Sequence, residues 1–232
     1  GQHEIGAGGQ PYPFFLAHPF ALPLADFDAA LGSPRDWIIE WKWDGIRAQL
    51  VKRGGQAWLW SRGEELVTER FPELAQMGQA LPDGTVLDGE IVVWRHDRVQ
   101  PFAELQKRIG RKAVSARLMK DLPVVLLAYD ILEWEGQDIR SRPQAQRREL
   151  LDDVVTQLQH PALIASPMLA GDGWAELARQ REQARELGVE GLMLKQRDAA
   201  YGVGRTKESG VWWKWKIDPM SVDAVLIYAQ RG

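Results

Sequence analysis

The 232-residue chain is 45% hydrophobic and 26% charged, with a net charge of −3, a composition typical of a globular domain with a sizeable core. The absence of cysteine excludes disulfide scaffolds and Cys-ligated zinc, and no apolar run approaches the ~18 residues of a membrane span. With 29 basic against 32 acidic side chains, a wholly basic nucleic-acid binder is excluded, whereas a basic patch on a neutral protein is not.

Residues 1–10 are Gly-rich and polar and read as a tag or linker. The run from Trp37 to Arg62 reads as two or three strands around a Gly54-Gly55 hairpin turn. A short helix over 72–80 follows, then the turn Pro82-Asp83-Gly84 and a strand over 86–94. Residues 102–120 read as one amphipathic basic helix, and 123–132 as a buried strand. Leu150, Leu151, Val154, Val155 and Leu158 recur at helical spacing and predict a helix over 142–159. A second helix runs from Trp174 to Leu187, with Gly188 as its C-cap. Strands over 191–195, 211–217 and 222–230 complete the chain. Hairpins first, then strands interleaved with helices, point to an α+β fold with largely antiparallel sheets flanked by helices.

Only nine of the 29 basic residues are lysines. Four of those nine, Lys42, Lys195, Lys214 and Lys216, stand in aromatic or apolar strand-like runs. Lysine is seldom buried without a partner, so these placements point to an anion in a cleft. In Glu40-Trp41-Lys42-Trp43-Asp44-Gly45, strand alternation puts Glu40, Lys42 and Asp44 on one face and the two tryptophans on the other. Either this is a solvated strand face, or Lys42 is a nucleophile. Near pH 7 only about one free lysine in a thousand is neutral, so the second reading requires desolvation or cationic neighbours. In Trp212-Trp213-Lys214-Trp215-Lys216, the two lysines share one face, and Trp213 and Trp215 the other. Adjacent like charges repel; a phosphate over that face would neutralise both, and the alternative is a lysine-guarded edge strand. Asp88-Gly89-Glu90 and Glu190-Gly191 supply carboxylates that either hold a hard cation such as Mg²⁺ or sit solvated in turns.

In chain order the sequence presents K-x-D-G-x-R at 42–47, S-R-G at 61–63, D-G-E at 88–90, Tyr129-Asp130, E-G-L-M-L-K at 190–195 and W-x-K-x-K at 212–216. This series resembles the covalent nucleotidyltransferases: ATP-dependent DNA ligases, RNA ligases and mRNA capping enzymes. Phe14-Phe15-Leu16-Ala17-His18 and Arg147-Arg148 before Leu150-Leu151 resemble the DNA ligases in particular. Ser61-Arg62-Gly63-Glu64 is one residue shorter than the common S-R-x-G form.

The resemblance implies the nucleotidyltransferase fold of DNA ligase adenylation domains, ATP-grasp-like, over residues 11–220, with 221–232 entering a C-terminal OB-fold. It implies that Lys42 attacks the α-phosphate of ATP and carries AMP as a covalent intermediate. Glu40 and the backbone of Trp41 would read the adenine edge, and Tyr129 would stack on the base. Arg47 and Glu90 would hold the ribose; Lys195, Lys214 and Lys216 would contact phosphates. Arg62 and Arg205 would meet the adenylate or a nick 5′-phosphate, and Glu190, with Glu90, would bind Mg²⁺. The implied partners are nicked duplex DNA and the flanking N-terminal DNA-binding and C-terminal OB-fold modules of the same protein. The protein is then a monomer, cytoplasmic or nuclear, not secreted and not on a membrane. An RNA ligase, a capping-type enzyme, and a non-catalytic nucleic-acid-binding module built on the 102–120 helix are the alternatives.

Overall fold

A computed structural model of the chain describes residues 8–217 other than 112 and 209. The expected strand over 222–230, the OB-fold entry at 221–232 and most of the 1–10 segment lie outside the described residues. In chain order the strands are β1 (His18–Pro19), β2 (Trp37–Trp41), β3 (Ile46–Arg53), β4 (Gln56–Ser61), β5 (Thr85–Arg95), β6 (Arg98–Val99), β7 (Val124–Trp134), β8 (Gln137–Asp138), β9 (Leu163–Ala165), β10 (Met168–Leu169), β11 (Gly191–Gln196) and β12 (Trp212–Lys216). The α-helices are α1 (Phe27–Leu31), α2 (Pro72–Gln79), α3 (Phe102–Ile109), α4 (Ala116–Asp121), α5 (Gln144–Leu158), α6 (Trp174–Arg181) and α7 (Ala184–Leu187).

Two sheets form. One runs β1-β12-β11-β2-β10, the other β4-β3-β5-β7-β8, with β6 on β5 and β9 on β7. The pairings are antiparallel except β1 with β12 and β7 with β9. The β3–β4 hairpin turns through Gly54 and Gly55 at φ +56° and +76°, the two positive values that a two-residue turn matching strand twist requires.

Period-2 alternation sorts the apolar side chains. On β7, Val124, Leu126 and Ala128 join a core roofed by α2, α3 and α5, while Val125 and Leu127 face the other way. On the second sheet, Ile39, Leu192, Leu194 and Trp215 pack under α1 and α6 with Phe27 and Trp174. The remaining faces of the sheets meet through two smaller clusters, one around Phe15, Tyr201 and Trp212, the other around Trp43, Val92 and Val189.

One irregularity of β7 matters for the site. Asp88 pairs with Asp130 and Gly89 with Ala128, so the ladder skips Tyr129. Tyr129 is thus the extra residue of a β-bulge, a device that re-aims a side chain. Gly89 lies beside it, where an added Cβ would stand 2.4 Å from the Leu127 carbonyl oxygen; only glycine permits that approach.

Two expected helices are each broken in two. The 174–187 segment breaks after Arg181, and Gly188 caps its second part at φ +74°. The 102–120 segment divides into α3 and α4, with Ser115 accepting a hydrogen bond from the Leu118 N–H as a new N-cap. Two of its basic residues pair along the helices, Lys107 with Glu104 at 3.6 Å and Arg117 with Asp121 at 3.7 Å. Arg108, which the binding-module alternative would set against phosphates, is buried and donates to Glu73 at 2.6 Å and to the Leu122 carbonyl at 2.9 Å. The reason is its position: Leu105 seats α3 in the core, and one turn of helix then carries Arg108 to α2. Removing one partner of a buried pair leaves the other charge uncompensated and costs about 3 kcal/mol. Arg108→Ala is therefore expected to lower stability by that amount in urea unfolding, as a structural residue and not a phosphate contact.

Candidate active site

β2 ends at Trp41, so Lys42 stands at the start of a loop and not on a continuing strand. Backbone bonds nevertheless tie it to β11: the Lys42 N–H donates to the Gly191 carbonyl, and the Glu190 N–H to the Lys42 carbonyl, both at 2.8 Å. This pairing brings Lys42 Nζ to 3.0 Å from Glu190 Oε2. The loop can turn here because Gly45 has no Cβ, which would stand 2.2 Å from the Ile91 carbonyl oxygen. The Trp43 indole N–H pins the loop by donating to Ser166 Oγ at 2.9 Å. Because the strand stops, the expected alternation fails: Trp41 and Trp43 line the same cavity as Glu40 and Lys42.

That cavity lies between the two sheets and is lined by ten of the expected residues: Glu40, Trp41, Lys42, Arg47, Arg62, Glu90, Tyr129, Lys195, Arg205 and Lys214. Arg62 reaches it despite the shortened motif. Its turn is closed by Glu64 at φ +60°, and its N–H donates to the Arg47 carbonyl at 3.1 Å. On β12 the period holds: Lys214 lines the cavity while Trp213 and Trp215 pack with Phe20 and Phe27 on the far side. Lys216 lies at the rim, half exposed, 3.7 Å from Glu190.

The cavity has two chemically different ends. At one, Lys214 is lowered from the ordinary lysine range, by burial first and then by Arg205, Lys216, Lys42 and Arg62. Cations crowded to this degree repel one another and favour an anion among them. At the other end stand Glu40, Tyr129, Lys195 and Trp212. Lys195, which lines the cavity, is buried with its Nζ 2.7 Å from Glu40 Oε2. It also lies 4.0 Å from the Tyr129 ring centroid and 4.4 Å from that of Trp212. Burial pulls its pKa down and Glu40 opposes that.

Arg47 is committed more heavily than its expected ribose role suggests. Its Nε and Nη2 donate to Asp88 at 3.0 and 2.6 Å, and Nη1 to the Phe15 carbonyl at 2.7 Å. The Tyr201 hydroxyl donates to Asp88 Oδ2 at 2.7 Å and completes the group.

The carboxylate set around Glu190 also departs from expectation. The group that meets Glu190 is Asp44, whose carboxyl is raised by burial and then by Glu190 itself, against Lys42 and Lys216. Glu90 instead answers to Arg47, Lys42, Asp88 and the Gly45 backbone. No group of three or more candidate ligands occurs among the described residues. Two mutually repelling carboxylates at the cationic end suit Mg²⁺, which takes one or two carboxylates and fills its shell with water and phosphate oxygens.

The residues matched by a known family are 15–216, and the family is described as "ATP dependent DNA ligase domain". The chain belongs to this family. A probable DNA ligase of Koribacter versatilis is 32% identical, over 94% of this chain and 42% of its own length. A probable DNA ligase of Opitutus terrae is 35% identical, over 90% of this chain and 23% of its own. The chain thus spans less than half the length of these relatives. Among solved structures, the ligase domain of LigD from M. tuberculosis is similar with TM-score 0.68 and 30% identity, over 88% of this chain and 60% of that one. A mycobacterial DNA ligase D complexed with ATP and MES has TM-score 0.66 and 31% identity, over the same shares of the two chains. Chlorella virus DNA ligase-adenylate shares the fold, with TM-score 0.63 and 20% identity over 88% of this chain and 69% of that one. Membership of this family favours the DNA ligase reading over the RNA ligase, capping and binding-module alternatives. No helix among the described residues is long and apolar enough to cross a membrane.

Sequence reasoning missed Asp44 as the partner of Glu190, and Trp212, Met193 and Trp43 as cavity wall. Asp44 carried a usable signal, since it belongs to the K-x-D-G motif. Trp212 carried the same period-2 signal that placed Lys214.

Burial, the largest cause, pushes the Glu90 carboxyl up to about 7, against the pull of Arg47 and Lys42. Between the ordinary range near 4.5 and about 7, the folded ligase domain keeps a proton that the unfolded chain has released. Stability from this group is thus full below pH 4.5 and declines as pH rises to about 7. Glu90→Gln mimics the protonated form. It is expected to match the wild type in urea unfolding at pH 4.5, and to exceed it at pH 8 by on the order of 3 kcal/mol.

Proposed function

We propose that residues 11–220 form the adenylation domain of a DNA ligase and that Lys42 is its covalent nucleophile. The observation that carries this reading is Lys42 Nζ beside Glu190, at the cationic end of a cavity whose other end offers rings and a carboxylate. In the reaction, Nζ bonds to the α-phosphorus of ATP, the bond from that phosphorus to the bridging oxygen breaks, and pyrophosphate leaves with the electron pair. The proton lost by Nζ goes toward Glu190 Oε2, which it already meets. Arg62, Arg205 and Lys214 neutralise charge on the phosphates; phosphoryl transfer needs such positioning more than a dedicated base. Glu40 and the Trp41 backbone read the base edge, Tyr129 stacks on the base, and Arg47 and Glu90 face the ribose. Asp44 and Glu190 would hold Mg²⁺, which supplies neutralisation of the phosphate oxygens when bound. Lys216, at the rim, faces the outgoing phosphates.

In the whole protein, the AMP then passes to the 5′-phosphate of a nick in duplex DNA, and the 3′-hydroxyl displaces it to seal the strand. Modules beyond the matched span grip the duplex and close over the nucleotide. Such a protein acts as a monomer in the cytoplasm or nucleus.

Lys42→Ala and Lys42→Arg are both expected to abolish AMP attachment, read as intact mass after ATP and Mg²⁺, with circular dichroism unchanged. Arginine keeps the charge but not the deprotonated form. Labelling near the wild-type level in either variant would place the acceptor elsewhere, and labelling from GTP in preference to ATP would argue for capping.

If a module present in a longer version of the protein closes over the leaving group, self-adenylation by the 232-residue chain is expected to be about 10²-fold slower than by that version. Nick sealing by this chain should be undetectable on a gel beside a longer version of the protein. Equal sealing by the two would show that the domain suffices alone.

A further inference from the structure

Arg148 is not among the residues lining the cavity, yet it meets one that is. Glu40 forms the inner wall at the ring-lined end and is only 1% exposed. Arg148 Nη1 donates to Glu40 Oε1 at 2.9 Å, and Lys195 Nζ lies 2.7 Å from Oε2. A carboxylate so paired accepts hydrogen bonds and donates none, with about four lone-pair sites over its two oxygens. One cation on each oxygen leaves lone pairs that can meet only a donor.

The two cations differ in stiffness. Arg148 is a planar fork held on every side: Nε donates to Asp152 Oδ1 at 3.0 Å and Nη2 to the Ser166 carbonyl. Lys195 is a point charge on a flexible stem between two rings. The direction in which the Glu40 lone pairs face is therefore set by Arg148, through α5, and not by Lys195.

We infer that Arg148 is a positioning residue that decides which purine the ligase domain accepts: it fixes Glu40 as an acceptor aimed at the base edge, so an edge bearing an amine is taken and one bearing a carbonyl is refused. This rests on the nucleotide reading of the cavity. A carbonyl set against the fixed carboxylate opposes two desolvated acceptors, and a site built for a hydrogen bond rejects a mismatched group strongly. Without Arg148, Glu40 turns toward its remaining cation. Water or a Lys195 N–H then meets the carbonyl edge, and the refusal weakens.

The test compares ATP with inosine triphosphate, which has a carbonyl where ATP has its amine. Binding to the 232-residue chain is measured by calorimetry in EDTA, so that no transfer occurs. The wild type is expected to prefer ATP by about 10²-fold. Arg148→Gln is expected to reduce the preference to about tenfold or less, and Arg148→Lys, with the charge but not the fork, to fall between. A purely supporting role would weaken both nucleotides equally and leave the ratio unchanged, and that result in either variant overturns the inference. If Arg148→Gln fails to fold, the ratio in Arg148→Lys decides alone. A wild type that binds both nucleotides equally overturns the inference while the nucleotide reading stands. A wild type that binds neither removes that reading, and the inference with it.

Discussion

Two arginines buried side by side at the start of α5 are the constraint on which the rest of the structure depends. Arg147 is fully buried and Arg148 nearly so, and charges taken from water to that extent require paired, hydrogen-bonded partners. Arg147 finds Asp130 on β7 through two bonds at 2.9 and 3.0 Å. Arg148 finds Glu40 on β2. Since β7 and β2 belong to different sheets, one helical turn ties both sheets to itself. Gln144, one turn earlier, adds a third tie: it donates to Asp130 at 3.0 Å and accepts from the Trp212 indole N–H at 2.8 Å.

The cavity is a consequence of this clamp. Sheets joined at one place by apolar clusters and at another by a polar hub cannot slide, and the space left between them keeps its shape. The elements that furnish the cavity then differ in what they can present. The β7 bulge supplies Tyr129, the end of β2 supplies Glu40, and β12 supplies Lys214 on one face while its tryptophans seal the other. Separating a cationic end from a ring-lined end suits a ligand with an anionic tail and an aromatic head, which is the shape of a nucleotide.

Several side chains serve the site at one remove. Asp88 and Tyr201 hold Arg47 where it can face the cavity, and Ser166 holds the Trp43 loop that carries Lys42. A side chain held by packing and a second layer of hydrogen bonds stays within the small tolerance that the proposed transfer to Lys42 would need. The same low-dielectric surroundings that strengthen these bonds make each unpaired charge costly. Every buried cation described here has an acidic or carbonyl partner accordingly.

The sequence by itself determined what depends on local pattern. Period-2 alternation placed Lys214 against Trp213 and Trp215, paired glycines located the β3–β4 turn, and the ordered motifs identified the family and ten of the cavity-lining residues. Only the tertiary structure decided where strands stop and which distant charges meet. Trp41 and Trp43 share the cavity because β2 ends between them, a boundary fixed by the approach of Gly45 to the Ile91 carbonyl. Arg108, in the basic 102–120 segment, meets Glu73, 35 residues away. Lys195 stands 2.7 Å from Glu40, and Arg148 reaches Glu40 across 108 residues. Such pairings follow from the desolvation cost of buried charge in a particular packed arrangement, which acts between side chains brought together by the fold and leaves no trace in their spacing along the chain.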